Sequence, residues 1–352
     1  MAYRRRVNAK SGLPWDPQEL AAAARRNLTD GTATYFETTA VFPPSAENEA
    51  AWAEWRFVPR VGRDVAAVST EVEILGAKMG APILLAPCAF TGRAHAGGEL
   101  TVARAALETG TTYVVPQTST KAPRDVAKSA PDHCWFQLYV PNDEDALEPL
   151  LADAADAGFT AIVVTLDAPV GSIRRQGYVP DRDYVDPLDR ARPGAAPLNP
   201  SVTWQTVERV AALSRVPVLV KGVLRPDDAR AAVLHGAAGV IVSNHGARQL
   251  EGVVPTATVL EKIAAVAAPA PVLVDGGIRS GRDVLRALCL GAQGVLIGRP
   301  YLWALAISGA SGVSEILLRY RLELENALAL TGFRRPADAE RDLLVRWTPT
   351  RA

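Results

Sequence analysis

Residues 217–242, PVLVKGVLRPDDARAAVLHGAAGVIV, hold a complete strand, helix and strand in 26 positions. PVLV (217–220) is a short apolar, β-branched run. Pro226-Asp227-Asp228 opens a helix, because proline fits the first turn and acidic side chains favour its unpaired N–H groups. ARAAVLHG then ends at Gly236, and GVIV (239–242) is a second strand. Working outward, the same alternation recurs around Ile83–Ala86, Thr112–Val115, Trp135–Val140, Ala161–Leu166, Pro271–Val274 and Gly294–Ile297. Strands this continuously apolar are buried on both faces, as in parallel sheets. Eight strand–helix units predict an α/β fold, a closed eight-stranded parallel TIM barrel over about residues 80–305. The rival is an open doubly wound sheet, and the absence of GxGxxG after the first run weighs against it.

The whole chain of 352 residues is expected to form a single domain. Residues 16–57 predict an N-terminal helical cap, interrupted at Phe42-Pro43-Pro44-Ser45. C-terminal helices are expected over about 312–335, with Ser314–Leu330 as a long closing helix. Gly177–Ser201 has no periodicity and predicts a loop over one barrel mouth.

Lys plus Arg (38) balance Asp plus Glu (38), so no net charge draws the chain to nucleic acid or to an anionic membrane. No uninterrupted apolar run approaches the ~20 residues that span a bilayer, and MAYRRRVNAK is not followed by the apolar stretch of a secretory signal. Three cysteines, Cys88, Cys134 and Cys289, are odd in number and lack metal-ligand spacing, so no metal site is expected and a reducing cytoplasm fits best.

Catalytic groups in such barrels lie just beyond the strands' carboxyl ends. There the chain places Pro87-Cys88-Ala89, Thr118, Gln137, Tyr139, Thr165, Asp167, Lys221, Ser243 and His245. Asp275-Gly276-Gly277 and Gly298-Arg299 follow the seventh and eighth runs, where two helix N-termini and the side chains of Arg279 and Arg299 suit a phosphate. The glycines would also serve as plain strand–helix turns. Lys221 at the mouth needs an anionic partner, either a carboxylate such as Asp167 or Asp275 or a ligand that becomes anionic on reduction. His245 can take a proton near neutral pH, Arg248 is shaped for two-point carboxylate binding, and Asp167 can support a protonated imidazole. Arg174 offers a second carboxylate contact or is a solvated loop residue. His95, His133 and His235 read as structural.

With those residues in place, the chain resembles the FMN-dependent 2-hydroxy acid oxidase and dehydrogenase family, which includes glycolate oxidase, lactate oxidase, mandelate dehydrogenase and hydroxymandelate oxidase. The resemblance covers about residues 20–335 and rests on FQLYV (136–140), VTLDAP (164–169), LVKGV (219–223), IVSNHGARQL (241–250), VDGGIRSGRDVLRALCLGA (274–292) and IGRP (297–300). It implies FMN across the barrel mouth, its ring held by Ala89, Gln137, Thr165 and Lys221 and its phosphate by Asp275–Arg279 and Gly298–Arg299. It implies His245 as base with Asp167 behind it, and Tyr35, Tyr139, Arg174 and Arg248 on the substrate. It implies oxidation of a small-molecule 2-hydroxy acid to the 2-keto acid, molecular oxygen as acceptor, and a homo-oligomer, a tetramer. The chain departs from the family at Pro116, where many members have Ser, at Thr118, where several carry a bulky aromatic, and in its shorter mouth loop. Thr118 leaves room for a bulky or aryl, mandelate-like side chain, with Phe90 as a surface to pack on. The competing readings are a redox-neutral FMN barrel isomerase acting on a phosphorylated substrate and a non-catalytic flavin-binding protein.

Overall fold

The computed structural model describes residues 12–37, 46–171 and 198–347. Eight parallel strands close into a barrel: β1 Ile83–Leu85, β2 Tyr113–Pro116, β3 Cys134–Leu138, β4 Ile162–Thr165, β5 Val218–Val223, β6 Gly239–Val242, β7 Val272–Val274 and β8 Gly294–Ile297. Each pairs with its neighbours in sequence, and β8 returns to β1 in the register Val295↔Ile83, Leu296↔Leu84, Ile297↔Leu85. The barrel is therefore the expected one, and the doubly wound alternative is excluded.

Alternating residues explain why the runs read as uniformly apolar. Leu84, Val114, Trp135, Val163, Leu219, Ile241, Leu273 and Leu296 fill the barrel interior. Their neighbours Leu85, Val115, Phe136, Val164, Val220, Val242, Val274 and Ile297 face the helices outside. A hairpin, Val72–Ile74 with Ala77–Met79, stoppers the amino-terminal end. A Cβ on Gly294 would lie 2.9 Å from Ile74 Cδ1, so the first residue of β8 is glycine where the stopper enters.

The helix Pro226–Leu234 ends near Gly236, whose φ of +86° a side-chain-bearing residue rarely adopts. Farther along, Arg299–Thr331 is continuous except at Ser308 and Gly309, where the backbone leaves helical geometry. This helix is long and apolar enough to cross a membrane by composition, but 61% of its most apolar window is buried inside the protein. Its apolarity reflects packing: it lies on the helices Gly98–Thr109, Gly281–Cys289 and Pro17–Arg25.

The cap comprises the helices Pro17–Arg25, Asp30–Glu37 and Ala46–Ala53. Trp55–Phe57, expected to be helical, is instead a strand that pairs antiparallel with Leu344–Arg346. The polar interruption at Phe42–Ser45 and most of the Gly177–Ser201 loop lie outside the described residues.

Candidate active site

The carboxyl ends of the strands surround a cavity of about 220 Å³. Pro87, Cys88, Ala89, Thr118, Gln137, Tyr139, Lys221, His245, Arg248, Asp275, Gly276, Gly277, Arg279, Gly298 and Arg299, expected at or just beyond strand ends, all line it, and so does Tyr35 of the cap helix Asp30–Glu37, which the resemblance singled out. Arg174 lies outside the described residues. Ser243 is fully buried beneath the cavity, and Thr165 faces an adjoining cavity that shares Tyr139. Phe90 does not line the main cavity. It stands behind Tyr35, ring edge to face at 5.7 Å, so Tyr35, Phe36 and Leu302 supply the apolar wall instead.

The centre of the site is built by β4, β5 and β6. Lys221 and Val223 pair with consecutive residues of β6, which leaves Gly222 as the extra residue of a bulge, φ +105°. A Cβ there would lie 2.6 Å from Asp167 Cβ, so the glycine lets Asp167 pack against the bulge. Lys221 Nζ donates to Ser243 Oγ at 2.8 Å and pairs with Asp275 Oδ2 at 3.2 Å. Burial pulls the ammonium's pKa down, but Asp275 and Asp167 outweigh it and hold Lys221 charged, well above its ordinary value. The carboxylate expected as its partner is thus Asp275.

Asp167 Oδ1 lies 2.8 Å from His245 Nδ1, with the two side chains 12% and 22% exposed. Burial pushes the carboxyl up, yet Lys221 and His245 prevail, and Asp167 stays below the usual carboxylate value. A carboxylate at that distance fixes the proton on Nδ1 and leaves Nε2 as the nitrogen able to accept another. His245 N donates to Ser243 Oγ at 3.1 Å, so one buried hydroxyl braces both the lysine and the histidine. His245 and Ala247 both have left-handed backbones, φ 56° and 60°, a strain that persists where surrounding structure fixes it.

Across the cavity, Arg248 donates to Phe36 O at 3.1 Å and lies 5.2 Å over the Tyr35 ring. Arg299 donates to the same carbonyl at 3.2 Å and to Gly246 O at 3.1 Å. Burial first, and then the neighbouring charges of Arg248 and Arg279, lower the Arg299 guanidinium to about 9. Arg279 pairs with Glu49 at 2.9 Å. The Arg299 guanidinium thus stands among those of Arg248 and Arg279 beside the amino-terminal end of the long helix, an arrangement that suits an anion. At the tips of β3, β4 and β7, Gln137 Nε2, Thr165 Oγ1 and Asp275 Oδ1 are buried without a hydrogen-bond partner. An unmatched buried polar group is costly, so these atoms and the cation cluster fit a planar, polar-edged ligand bearing a phosphate.

Cys88 borders the cavity as a thiol: burial pushes it up more than Tyr301 and the nearby cations lower it. The remaining histidines are structural, as expected. His133 Nδ1 lies 2.7 Å from Thr111 O, His235 lies 2.9 Å from Glu208 and stacks on Trp204, and His95 accepts from Gly97 N at 3.1 Å. Sequence reasoning missed Phe36 and Gln249, although both adjoin residues it chose. It also missed Asn48, whose amide meets Asn244.

A barrel with this mouth matches the FMN-dependent dehydrogenase family over residues 24–346, and the chain belongs to that family. It is a flavoprotein oxidoreductase of the 2-hydroxy acid oxidase type, with FMN as cofactor. The chain is 39% identical over 323 residues to L-lactate oxidase of Nostoc sp., covering 85% of this chain and 88% of that one. It is 36% identical over 311 residues to 2-hydroxyacid oxidase 1 of Homo sapiens, covering 82% and 84%. A crystal structure of mandelate oxidase superposes with a TM-score of 0.86 at 38% identity, over 93% of this chain and 97% of that one.

Proposed function

We propose that this enzyme oxidises a 2-hydroxy acid with a bulky or aryl side chain to the 2-keto acid, with His245 as base and molecular oxygen as the final acceptor. The carrying observation is that His245, held by Asp167 at 2.8 Å, lines the same cavity as Arg248. The substrate carboxylate meets the Arg248 guanidinium, whose planar fork binds two oxygens at once. Arg174 is assigned a second contact to that carboxylate. Binding there fixes the α-carbon in the cavity and removes much of the entropic barrier. Tyr139 keeps its proton, since burial holds the phenol well above its ordinary value, and it donates to the substrate.

His245 Nε2 accepts the proton that leaves as CH–OH becomes C=O, and Asp167 stabilises the resulting imidazolium. FMN supplies the two-electron acceptor for this oxidation. Lys221 places a fixed positive charge at the barrel centre, where negative charge develops. Gln137 and Thr165 are assigned to the flavin ring with Ala89 and Lys221, while Gly276, Gly277, Arg279, Gly298 and Arg299 are assigned to its phosphate.

Thr118 at the wall supports the bulky substrate, and the mandelate oxidase likeness supports the aryl class. A redox-neutral isomerase or a flavin carrier would have no use for the His245–Asp167 pair beside Arg248. The same reading takes the enzyme to be cytoplasmic, a compartment with which the free thiols Cys88, Cys134 and Cys289 agree, and to be a homo-oligomer, as the family resemblance implies. The test is anaerobic mixing of the purified protein with glycolate, lactate, 2-hydroxyisocaproate and mandelate while flavin absorbance is followed. Mandelate is expected to bleach the flavin with the highest ratio of limiting reduction rate to substrate Kd, and glycolate as the best of the four would overturn the bulky-substrate reading.

A further inference from the structure

The helix Ala46–Ala53 belongs to the N-terminal cap, yet it buries Asn48, which is 2% exposed. A buried amide needs both its donor and its acceptor matched. Asn48 Nδ2 donates to Asn244 Oδ1 at 3.1 Å, and Asn48 Oδ1 accepts from Asn244 Nδ2 at 2.9 Å and from Thr256 N at 3.3 Å. Asn244 Oδ1 also accepts Ala247 N at 3.2 Å, and its Nδ2 donates to Val254 O at 3.2 Å. The two amides therefore join the cap, the turn after β6 and the start of the helix Thr256–Ala267.

That turn carries the strained residues His245 and Ala247. Asn244 immediately precedes His245 and closes the turn onto Ala247, so its amide sets the backbone from which the imidazole projects. We propose that Asn48, through its reciprocal amide pair with Asn244, is a positioning residue that holds His245 in line with Asp167 and the cavity. The proposal rests on the reading of His245 as base. It joins the cap to the chemistry, although no atom of Asn48 lines the cavity.

The effect of losing the amide can be separated from general damage. A Cβ on Gly277 would lie 2.6 Å from the Asn48 carbonyl carbon and 2.8 Å from Asn48 Cβ, atoms that Asn48→Ala retains. The contact between the cap and the β7 turn therefore survives this substitution, and FMN binding should survive with it. In anaerobic flavin reduction by mandelate and by lactate, Asn48→Ala should lower the limiting rate about 10–10²-fold, the range expected when a catalytic group is slightly misplaced. Substrate Kd, and FMN Kd measured by titrating apo-protein, should stay within about twofold, the scatter of independent sites. The Asn48→Ala/Asn244→Ala double variant should be no slower than the slower single variant. Thermal unfolding of the four apo-proteins should show the same lack of additivity.

An unchanged limiting rate with a lowered melting temperature would make Asn48 merely structural and overturn the proposal, as would losses that multiply in the double variant. If Asn48→Ala fails to fold, Asn48→Asp keeps the oxygen that accepts from Asn244 and Thr256 and removes the donor. Its limiting rate should fall at least about 3–10-fold, the worth of one hydrogen bond, because a carboxylate oxygen then also faces the acceptor Asn244 Oδ1, and a wild-type rate would again overturn the proposal. The two readings fail separately. An undiminished rate in His245→Ala removes the base assignment itself, whereas a slow His245→Ala beside a normal Asn48→Ala removes this inference alone.

Discussion

Replacing Arg299 with Met should leave the apo-protein almost as stable as it was while weakening FMN binding, an outcome opposite to the loss of an ordinary buried ion pair. Arg299 opens the long helix at the cavity wall, where burial first, and Arg248 and Arg279 next, draw its guanidinium down from its ordinary value to about 9. A cation with a depressed folded pKa costs stability at neutral pH. The cost is full below about pH 9 and fades as the pH rises from there toward the value of a free arginine. At ~1.4 kcal/mol per pH unit the drop corresponds to roughly 5 kcal/mol; screening by cavity water reduces this to about 2–4 kcal/mol. Arg299→Met relieves that cost but leaves Gly246 O without its donor, at about 1–3 kcal/mol, while Phe36 O keeps the Arg248 guanidinium. The opposing effects nearly cancel, so the apo-protein should melt within a few degrees of wild type at pH 7. Loss of a charge-assisted hydrogen bond of about 1.5–3 kcal/mol to the phosphate should weaken FMN binding about 10–10²-fold, read by flavin fluorescence in a titration of apo-protein. Between pH 7 and pH values above about 9 the wild type should gain stability relative to the variant, as its guanidinium is relieved of charge. An unchanged FMN Kd would remove Arg299 from the phosphate site, and a stability difference that does not move with pH would refute the argument for a destabilised cation.

His245→Ala should stay yellow and reduce its flavin about 10²–10⁴-fold more slowly with substrate, since the base is lost and the cradle is not; stopped-flow absorbance reads the rate, and a normal rate would end the assignment. Arg248→Lys should lower kcat/KM for the hydroxy acid about 10–10²-fold despite the retained charge, because an ammonium cannot reproduce the planar fork; steady-state oxygen consumption measures this, and parity with wild type would place the carboxylate elsewhere. Thr118→Trp should lower kcat/KM for mandelate relative to lactate about 10-fold or more, as about 1.5–3 kcal/mol of ring burial is denied. An unchanged ratio would mean that Thr118 does not face the substrate side chain.

The barrel was legible because each of its strands is a short apolar run set between turn signals, and burial on both faces demands such a run. The three-residue strand Trp55–Phe57 was not, because its partner Leu344–Arg346 lies nearly the whole chain away and nothing local distinguishes it from the end of the Ala46–Ala53 helix. The site was legible wherever barrel geometry alone delivers a residue to the mouth, as with Lys221, His245 and Asp275. From the cap, legibility extended to Tyr35, through the family resemblance, but not to the residues of the next cap helix. Glu49, which pairs with Arg279, and Asn48, which pairs with Asn244, sit on a helix whose sequence AENEAAWA mixes alanines, carboxylates, one amide and one tryptophan in no strong pattern.

Glycines mark the boundary between what pattern reveals and what only packing explains. The Gly276-Gly277 pair reads naturally as room for an anion, but Gly277, φ +80°, first makes room for the backbone of Asn48, and Trp52 Nε1 donates to Gly276 O at 2.7 Å. Gly222 reads as the end of a strand, yet it is the bulge that admits Asp167 beside Lys221. In both cases the sequence announces that something approaches the backbone closely without saying what. The approaching groups are a cap helix at β7 and a carboxylate at β5, and both reach His245, one through Asn244 and the other through Nδ1. His245 is therefore held from two sides by residues brought close to the barrel where glycines remove a Cβ, and with His245 as the proposed base this gives a segment outside the barrel a route to the chemistry inside its mouth.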